Sequence, residues 1–575
     1  MQRSPERWRL YRLAAREALR AFGAGLGQAG RAPRLLARQS PGRLLLAPQD
    51  LRTSDPTVAG DIYSGLFVFA GRALTTGGRS PFQFPPPSQA WGEALYGFGW
   101  LRHLRAADTA LARANARALV GEFLAQGRDM PRLARRTPVA ARRLLAFLTQ
   151  SPLLLEGADH EFYRRFMRSL GRTIRDLDRA MRTAATPHDR LLAATALCYA
   201  GLCCEGFDGL LRRASRHLAR ELDRQILPDG GHASRNPRII VDLLLDLLPL
   251  RQIYASRGIE TPKALTGAID RILPMLRLFR HGDGTLAHFN GMGATAAHNL
   301  TTILIYDDAR AQPMQRAPHS GYERLQAGAA LVTADVGPPP PVEHSREAHA
   351  GCLSFEFSSG AHRIVVNCGT SRVAQGRAGL VSRATAAHST ATVAETSSGR
   401  FLAANGGAGE RRIAGWLQRR LGEVVLRGPG MVRVERTESE EGLGITASHD
   451  GYRDEFGLVH ERRWRLEADG SRLDGEDLFV SEREGAGPQD VAIRFHLHPA
   501  VRVSEAEGGV RLILPNDETW IFDASSPGVR LEESVFFPTT DRPRRTEQIV
   551  LAFNTRHTRT VAWRFTRVEM ALPQA

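Results

Sequence analysis

Lysine is almost missing from this chain. Of its 77 basic residues, Lys263 is the only lysine and the rest are arginine; against 61 acidic residues they leave a net charge of +16. Such a balance asks for an acidic partner. No helix-turn-helix, zinc-finger or aromatic RNA-binding signature accompanies it, so nucleic acid is not expected; an acidic polysaccharide suits the same charge. Cysteine is scarce as well. Five residues, an odd number without metal-finger spacing, argue against a disulfide framework. Cys203 and Cys204 sit in an apolar helical stretch and read as small core residues. Long apolar runs are also lacking: the most apolar, "IIVDLLLDLLPL", is broken by Asp242, Asp246 and Pro249, short of the roughly 18 residues that cross a bilayer. The opening "MQRSPERWRLYRLAAREALRAF" has no apolar core of a secretory signal. It reads as a basic peripheral tail, or as an amphipathic helix making weak contact with an anionic membrane surface.

What is present changes character once. From about 95 to 315 the chain is rich in Ala, Leu and Arg with helical periodicity. In "FYRRFMRSLGRTIRDLDRAM", Phe162, Phe166, Leu170, Ile174, Leu177 and Met181 recur at three- and four-residue steps. After "VGPPPPVEH" (336–344), stretches such as "VRLILPNDETWIFDA" and "TVAWRFTRVEM" alternate apolar and polar residues, which predicts antiparallel sheets. No helices are expected to alternate with these strands. The division is therefore a basic extension over 1–45, a helical domain over 46–325, a linker over 326–345 and a β-sandwich over 346–575.

Four segments carry a family resemblance: "ATPHDRLLAATALCYAGLC" (185–203), "ILPDGGHASRNP" (226–237), "AHAGCLSFEF" (348–357), and "RIVVNCGTS" with "SRATAAHSTATV" (382–393). In order and spacing they resemble the heparinase II/III-like family, whose motifs include an Asn-His segment, a His-Ala-Asp-x-Leu-Ser-Phe segment and an Ala-His-Asn-Thr strand. The resemblance implies an incomplete (α/α) toroid followed by an antiparallel β-sandwich. It also implies a polysaccharide lyase that cleaves uronic-acid glycans by β-elimination in the interdomain cleft. A non-catalytic carbohydrate-binding relative of the same fold is the alternative, and Pro187, Ile239 and Asn367 stand where the family's motifs carry other residues. The family suggests the periplasm or cell envelope; the absent signal suggests the cytoplasm.

Elimination needs a neutraliser for the uronate carboxylate, a base for the C5 proton and an acid for the leaving oxygen. By resemblance, His188, Tyr452 and His349 are the catalytic candidates. His232, Asn236, His288, Asn290 and Arg383 are the substrate-binding ones. Gly230 and Gly231 would let backbone approach a ligand. His188, His232 and Tyr452 should then converge in a positive cleft. His349, Asn367 and His388 correspond to a cluster that holds a metal, usually zinc, in some members. Asn367 stands in place of an acid, and an amide oxygen is a poor zinc ligand. A structural zinc, with Cys368 as an added ligand, and a metal-free polar cluster both remain open; elimination itself requires no cofactor.

Overall fold

Helices pair around a ring in the first half and two sheets stack in the second. The computed structural model describes residues 5–29, 41–127, 129–184, 186–306, 312–370, 377–403, 407–483, 487–507, 509–526, 528–539 and 542–568. In the toroid, helix His160–Thr183 turns Phe162, Phe166, Leu170, Ile174, Leu177 and Met181 into the core. Asp159 starts it by accepting the Phe162 N–H at 2.8 Å. The following helix, Pro187–Cys203, is buried on all sides from Leu191 to Cys203. Its small residues permit this: a Cβ on Gly201 would stand 2.7 Å from the Leu211 side chain. Asp208–Gln225, Pro237–Ser256 and Lys263–Leu278 continue the ring.

Both large sheets are antiparallel. One has eight strands, running in space from Val432–Ser439 through Gly442–His449, Leu458–Glu467, Arg472–Ser481, Thr560–Arg567, Thr519–Ala524 and Gly509–Ile513 to Arg502–Ala506. The other has nine, with Asp490–Leu497, His362–Val366, Phe355–Ser359 and Ala330–Asp335 at its centre. Alternating residues from the two inner faces, among them Phe355, Trp464, Phe495, Trp520, Trp563 and Phe565, form one core.

Three features depart from the sequence reading. Strands Arg316–Ala317, Tyr322–Ala327 and Ala330–Asp335 belong to the nine-stranded sheet, so the sandwich begins ahead of the proline run, inside the stretch assigned to toroid and linker. The prolines instead carry the chain from Asp335 to the 3-10 turn Val342–Glu347. Helix Ala408–Leu421 lies within the sandwich half, where none was expected. The N-terminal helix Pro5–Ala29 docks on it, with Leu10 and Leu13 packed against Ala414, Leu417 and Leu421. Salt bridges fasten this contact: Arg7–Glu410 at 2.8 Å, Arg420–Glu17 at 3.0 Å and Arg16–Glu343 at 2.7 Å.

Candidate functional site

Toroid and sandwich meet along a polar seam. Arg235, held at φ +60°, donates to Asp335 at 2.5 Å and to the carbonyls of Ser320, Gly321, Gly337 and Pro338. Asn290, at φ +44°, donates to the same Asp335 at 3.0 Å and to the Tyr322 hydroxyl, and accepts the His349 N–H at 3.1 Å. Two non-glycine residues in left-handed backbone at one interface mark a surrounding structure that over-determines them. Asp229 accepts the Ser320 N–H and hydroxyl, both at 2.7 Å.

Two toroid helices begin with proline in the first turn: Pro187–Cys203, carrying His188, and Pro237–Ser256, carrying Arg238. Asn236 caps the second helix, its side-chain oxygen accepting the Arg238 N–H at 2.9 Å. Its amide nitrogen donates to Glu347 at 2.9 Å, and the Arg238 guanidinium reaches the same carboxylate oxygen at 2.6 Å. Burial opposes the Glu347 charge, but Arg238, His188 and Arg346 together outweigh it and hold this carboxyl below its usual range. His188 Nδ1 is shielded from water with no hydrogen-bond partner. Desolvation pushes the His188 pKa down, with Asp189, Arg142, Glu347 and Asp242 as its charged neighbours, so the imidazole is neutral at pH 7. Arg142 and Asp242 also line an adjoining hollow of about 520 Å³ in the toroid. That hollow is not positive: Arg52, Arg102 and Arg142 share it with Asp50, Glu93, Asp242 and Asp246.

The remaining sequence candidates lie elsewhere or are already committed. Tyr452 is buried in the sandwich core, its hydroxyl donating to the Ala391 carbonyl at 2.7 Å, and burial raises its pKa. It does not converge with His188 and His232. His232 is near His188 but is bound on both ring nitrogens, by Ser234 at 2.7 Å and Gln225 at 3.2 Å. Gly230 and Gly231 approach protein, not ligand: a Cβ would stand 1.9 Å from the Arg271 carbonyl oxygen and 2.2 Å from the Ser320 hydroxyl, respectively. His288 faces Glu356 at 3.3 Å and Arg363 at 2.9 Å beneath the sheet. Arg383 is spent on the Ala348 and Ser345 carbonyls at 2.8 and 3.3 Å, with its guanidinium over Phe401.

The residues proposed for zinc do not fit it. His349 Nδ1 and His388 Nε2 share a hydrogen bond at 2.9 Å. Asn367 turns away, accepting the Ser389 N–H at 3.0 Å and facing Glu356. Cys368 faces His496 and Ser534, and burial pushes its thiol up to about 12, far from a thiolate. Where the family motif has Asp, this chain has Gly351, and a Cβ there would lie 2.7 Å from the His388 ring. Among the described residues no three His, Cys, Asp or Glu side chains are placed to hold a metal.

The family described as heparinase II/III-like, C-terminal, matches residues 309–564. A relative named FtsZ-localized protein C, from Caulobacter vibrioides (strain NA1000 / CB15N), is 32% identical over 557 residues, covering 93% of this chain and 92% of its own. The chain belongs to the heparinase II/III-like family. Its fold matches heparinase III with a TM-score of 0.69 at 12% identity, over 99% of this chain and 93% of that one. A heparan sulfate lyase HepC mutant from Pedobacter heparinus matches with a TM-score of 0.60 at 14% identity, over 99% and 92%. This heparinase II/III-like chain thus has the toroid-and-sandwich fold of a polysaccharide lyase.

Sequence reading missed Arg238 and Glu347. Both lie inside or beside the segments quoted for the resemblance, and the one available signal was charge: an arginine at a helix start opposite a glutamate two residues before His349.

Proposed function

We propose that this protein is a non-eliminating, carbohydrate-binding member of the family that works at a membrane surface where FtsZ is located. One observation carries the first part: the donors Asn236 and Arg238 are taken up by the chain's own Glu347, and the tyrosine candidate, Tyr452, spends its hydroxyl on the Ala391 carbonyl. A base must reach the C5 proton while a neutraliser holds the uronate. Tyr452 is confined to the core, and His349 is bonded to His388. The expected result is that uronic-acid glycans, incubated with the protein, yield no ultraviolet absorbance from an unsaturated product. A rise in absorbance that disappears in His188→Ala would overturn this and favour the second reading, a lyase with neutral His188 as base. The unpartnered Nδ1 of that residue is what favours it.

Localisation with FtsZ is supported by the relative's name and by a match over 93% of this chain and 92% of that one. The membrane part is supported by the N-terminal helix. One face is docked, while Trp8, Tyr11, Leu19 and Phe22 recur on the other and are 59%, 47%, 72% and 68% exposed. Exposed Arg9 and Arg12 flank them, Arg12 lying over the Trp8 ring. An apolar stripe with basic flanks suits an anionic bilayer surface. Each large side chain inserted is worth about 1.5–3 kcal/mol. Trp8→Glu with Phe22→Glu should therefore weaken co-sedimentation with phosphatidylglycerol vesicles at least about tenfold without lowering Tm. Equal binding by the double variant would remove the helix from this role.

A further inference from the structure

Beside the docked face of the N-terminal helix lies an apolar hollow of about 470 Å³. Ala14, Ala15 and Ala18 of helix Pro5–Ala29 form one wall, and Arg412, Ile413 and Trp416 of helix Ala408–Leu421 form the other. The first wall follows from spacing. Tyr11, Ala15, Ala18 and Phe22 recur at steps of four, three and four, so they make one row along the helix, about 16 Å long. The ends of the row are exposed aromatics, and its middle drops to two exposed methyl groups. On the second wall, Ile413 and Trp416 are half-buried against the cluster that holds Leu10 and Leu13. The apolar stripe of the first helix therefore continues onto the second, with a trough between them. Arg7–Glu410 and Arg420–Glu17 lock the two helices as a unit.

The free charge around the trough has one sign. Helix Pro5–Ala29 carries five arginines and two acids. Both acids are turned to the chain's own arginines: Glu17 to Arg20 and Arg420 at 2.8 and 3.0 Å, Glu6 to Arg427 and Arg400 at 3.9 and 4.0 Å. In helix Ala408–Leu421 the one acid, Glu410, is held by Arg7 at 2.8 Å. Arg412 and Arg419 lie four residues before and three after Trp416, hence on its face of the helix. Both are exposed, and among the described residues neither pairs with a carboxylate. Arg9 and Arg12 are exposed beyond the other edge of the stripe. A second copy of the chain meeting this face across a two-fold axis would set arginine against arginine. An anionic bilayer meets it with the opposite charge.

We infer that the trough takes an acyl chain of an anionic phospholipid in the bilayer, with Arg412 and Arg419 on its phosphate. This rests on the membrane-surface reading above and adds helix Ala408–Leu421 to the face that enters the lipid. The consequence is orientation. A lone amphipathic helix on a flexible connection would tether the molecule, whereas a helix of the folded half, pressed on the same lipid, fixes the sandwich against the surface.

The test uses the full chain and phosphatidylglycerol vesicles whose acyl chains carry bromine, a contact quencher of tryptophan. Trp91, Trp100, Trp464, Trp520 and Trp563 are buried, so Trp8 and Trp416 report on lipid. Trp416→Phe should remove a share of the quenching seen with the parent, leaving that of Trp8. A second reading leaves the packing undisturbed: Ala18→Cys carrying a nitroxide, since Ala18 is exposed and the five native cysteines are buried. On vesicles its collisions with oxygen should rise and those with a water-soluble nickel complex fall. Arg412→Gln with Arg419→Gln should weaken co-sedimentation with phosphatidylglycerol vesicles at least about tenfold and leave the weaker binding to phosphatidylcholine unchanged. If the parent sediments with vesicles while Trp416→Phe is quenched equally and the label at position 18 stays in water, the inference is overturned and the membrane reading stands. If the parent does not sediment with vesicles, both fall. Undiminished binding by the arginine double variant would overturn the phosphate contact. A dimer in vesicle-free solution that is lost in Trp416→Glu would make the trough an interface between copies, and would overturn the inference as well.

Discussion

Asp477→Ala should unfold the sandwich at temperatures the parent withstands. Asp477 is fully buried on strand Arg472–Ser481 and serves three donors. Arg462 reaches it through Nε at 2.7 Å and a terminal nitrogen at 3.0 Å, His460 lies at 2.6 Å, and Trp563 donates its indole N–H at 2.8 Å. Arg462 is itself fully buried and spans the core, donating to the carbonyls of Leu353 and Ser389 at 3.0 and 2.9 Å. Removing the carboxylate leaves a guanidinium in an apolar core ringed by Phe355, Trp464, Phe495 and Trp563. Breaking one partner of such a pair costs about 3–5 kcal/mol, and each orphaned donor adds about 1–3 kcal/mol. That is a large part of the roughly 5–15 kcal/mol a domain possesses. Calorimetry should show Tm lower by about 10 °C or more. A change below about 2 °C would show that the network is solvated or rearranged. Arg462→Met together with Asp477→Leu should recover part of the loss, since no charge is then left unpaired.

Mild acid should destabilise the protein before its carboxylates titrate. Burial lowers the pKa of His281 to about 4, of His388 to about 4 and of His496 to about 3, and takes His232, His349 and His449 well below the usual value. A histidine whose folded pKa lies below its unfolded value, about 6.5, takes up its proton first in the unfolded chain. Its contribution is complete above about pH 6.5 and is lost as the pH falls from there toward the folded value. For a folded pKa near 4, the loss between pH 6.5 and 5 is about 2 kcal/mol; three such residues give about 6 kcal/mol. Asp477 behaves differently. Desolvation would raise it, but Arg462 and His460 hold it at about 2, so its contribution persists until the pH drops below about 4. Thermal melts at pH 7, 6 and 5 should therefore show Tm falling steeply over the last unit. A flat Tm across that range would mean that these imidazoles are hydrated or already protonated in the fold.

The histidines also explain where sequence reading stopped. By resemblance, His188, His232, His288 and His349 are expected to act on substrate. In the fold, His281 and His288 clasp the buried Glu356 beneath a sheet, His349 binds His388, and His460 binds Asp477. Among the described catalytic candidates, His188 has a ring nitrogen, Nδ1, that is shielded from water and without a hydrogen-bond partner.

By itself the sequence determined the two architectures. Side-chain period is local: steps of three and four bury one face of His160–Thr183, and steps of two bury one face of Leu458–Glu467, whatever lies far along the chain. The order of the quoted segments likewise points to the family, since it is read along the chain alone. Only the tertiary structure decided what the polar residues do. Glu347 meets Asn236 and Arg238 across 111 and 109 residues, and Arg235 meets Asp335 across 100. A buried polar group must find a partner, but no local pattern says which one. Whether a histidine or arginine stays open to a ligand or closes on its own chain is fixed by packing between the two halves, and here that packing brought Glu347 to the cleft and left Tyr452 in the core.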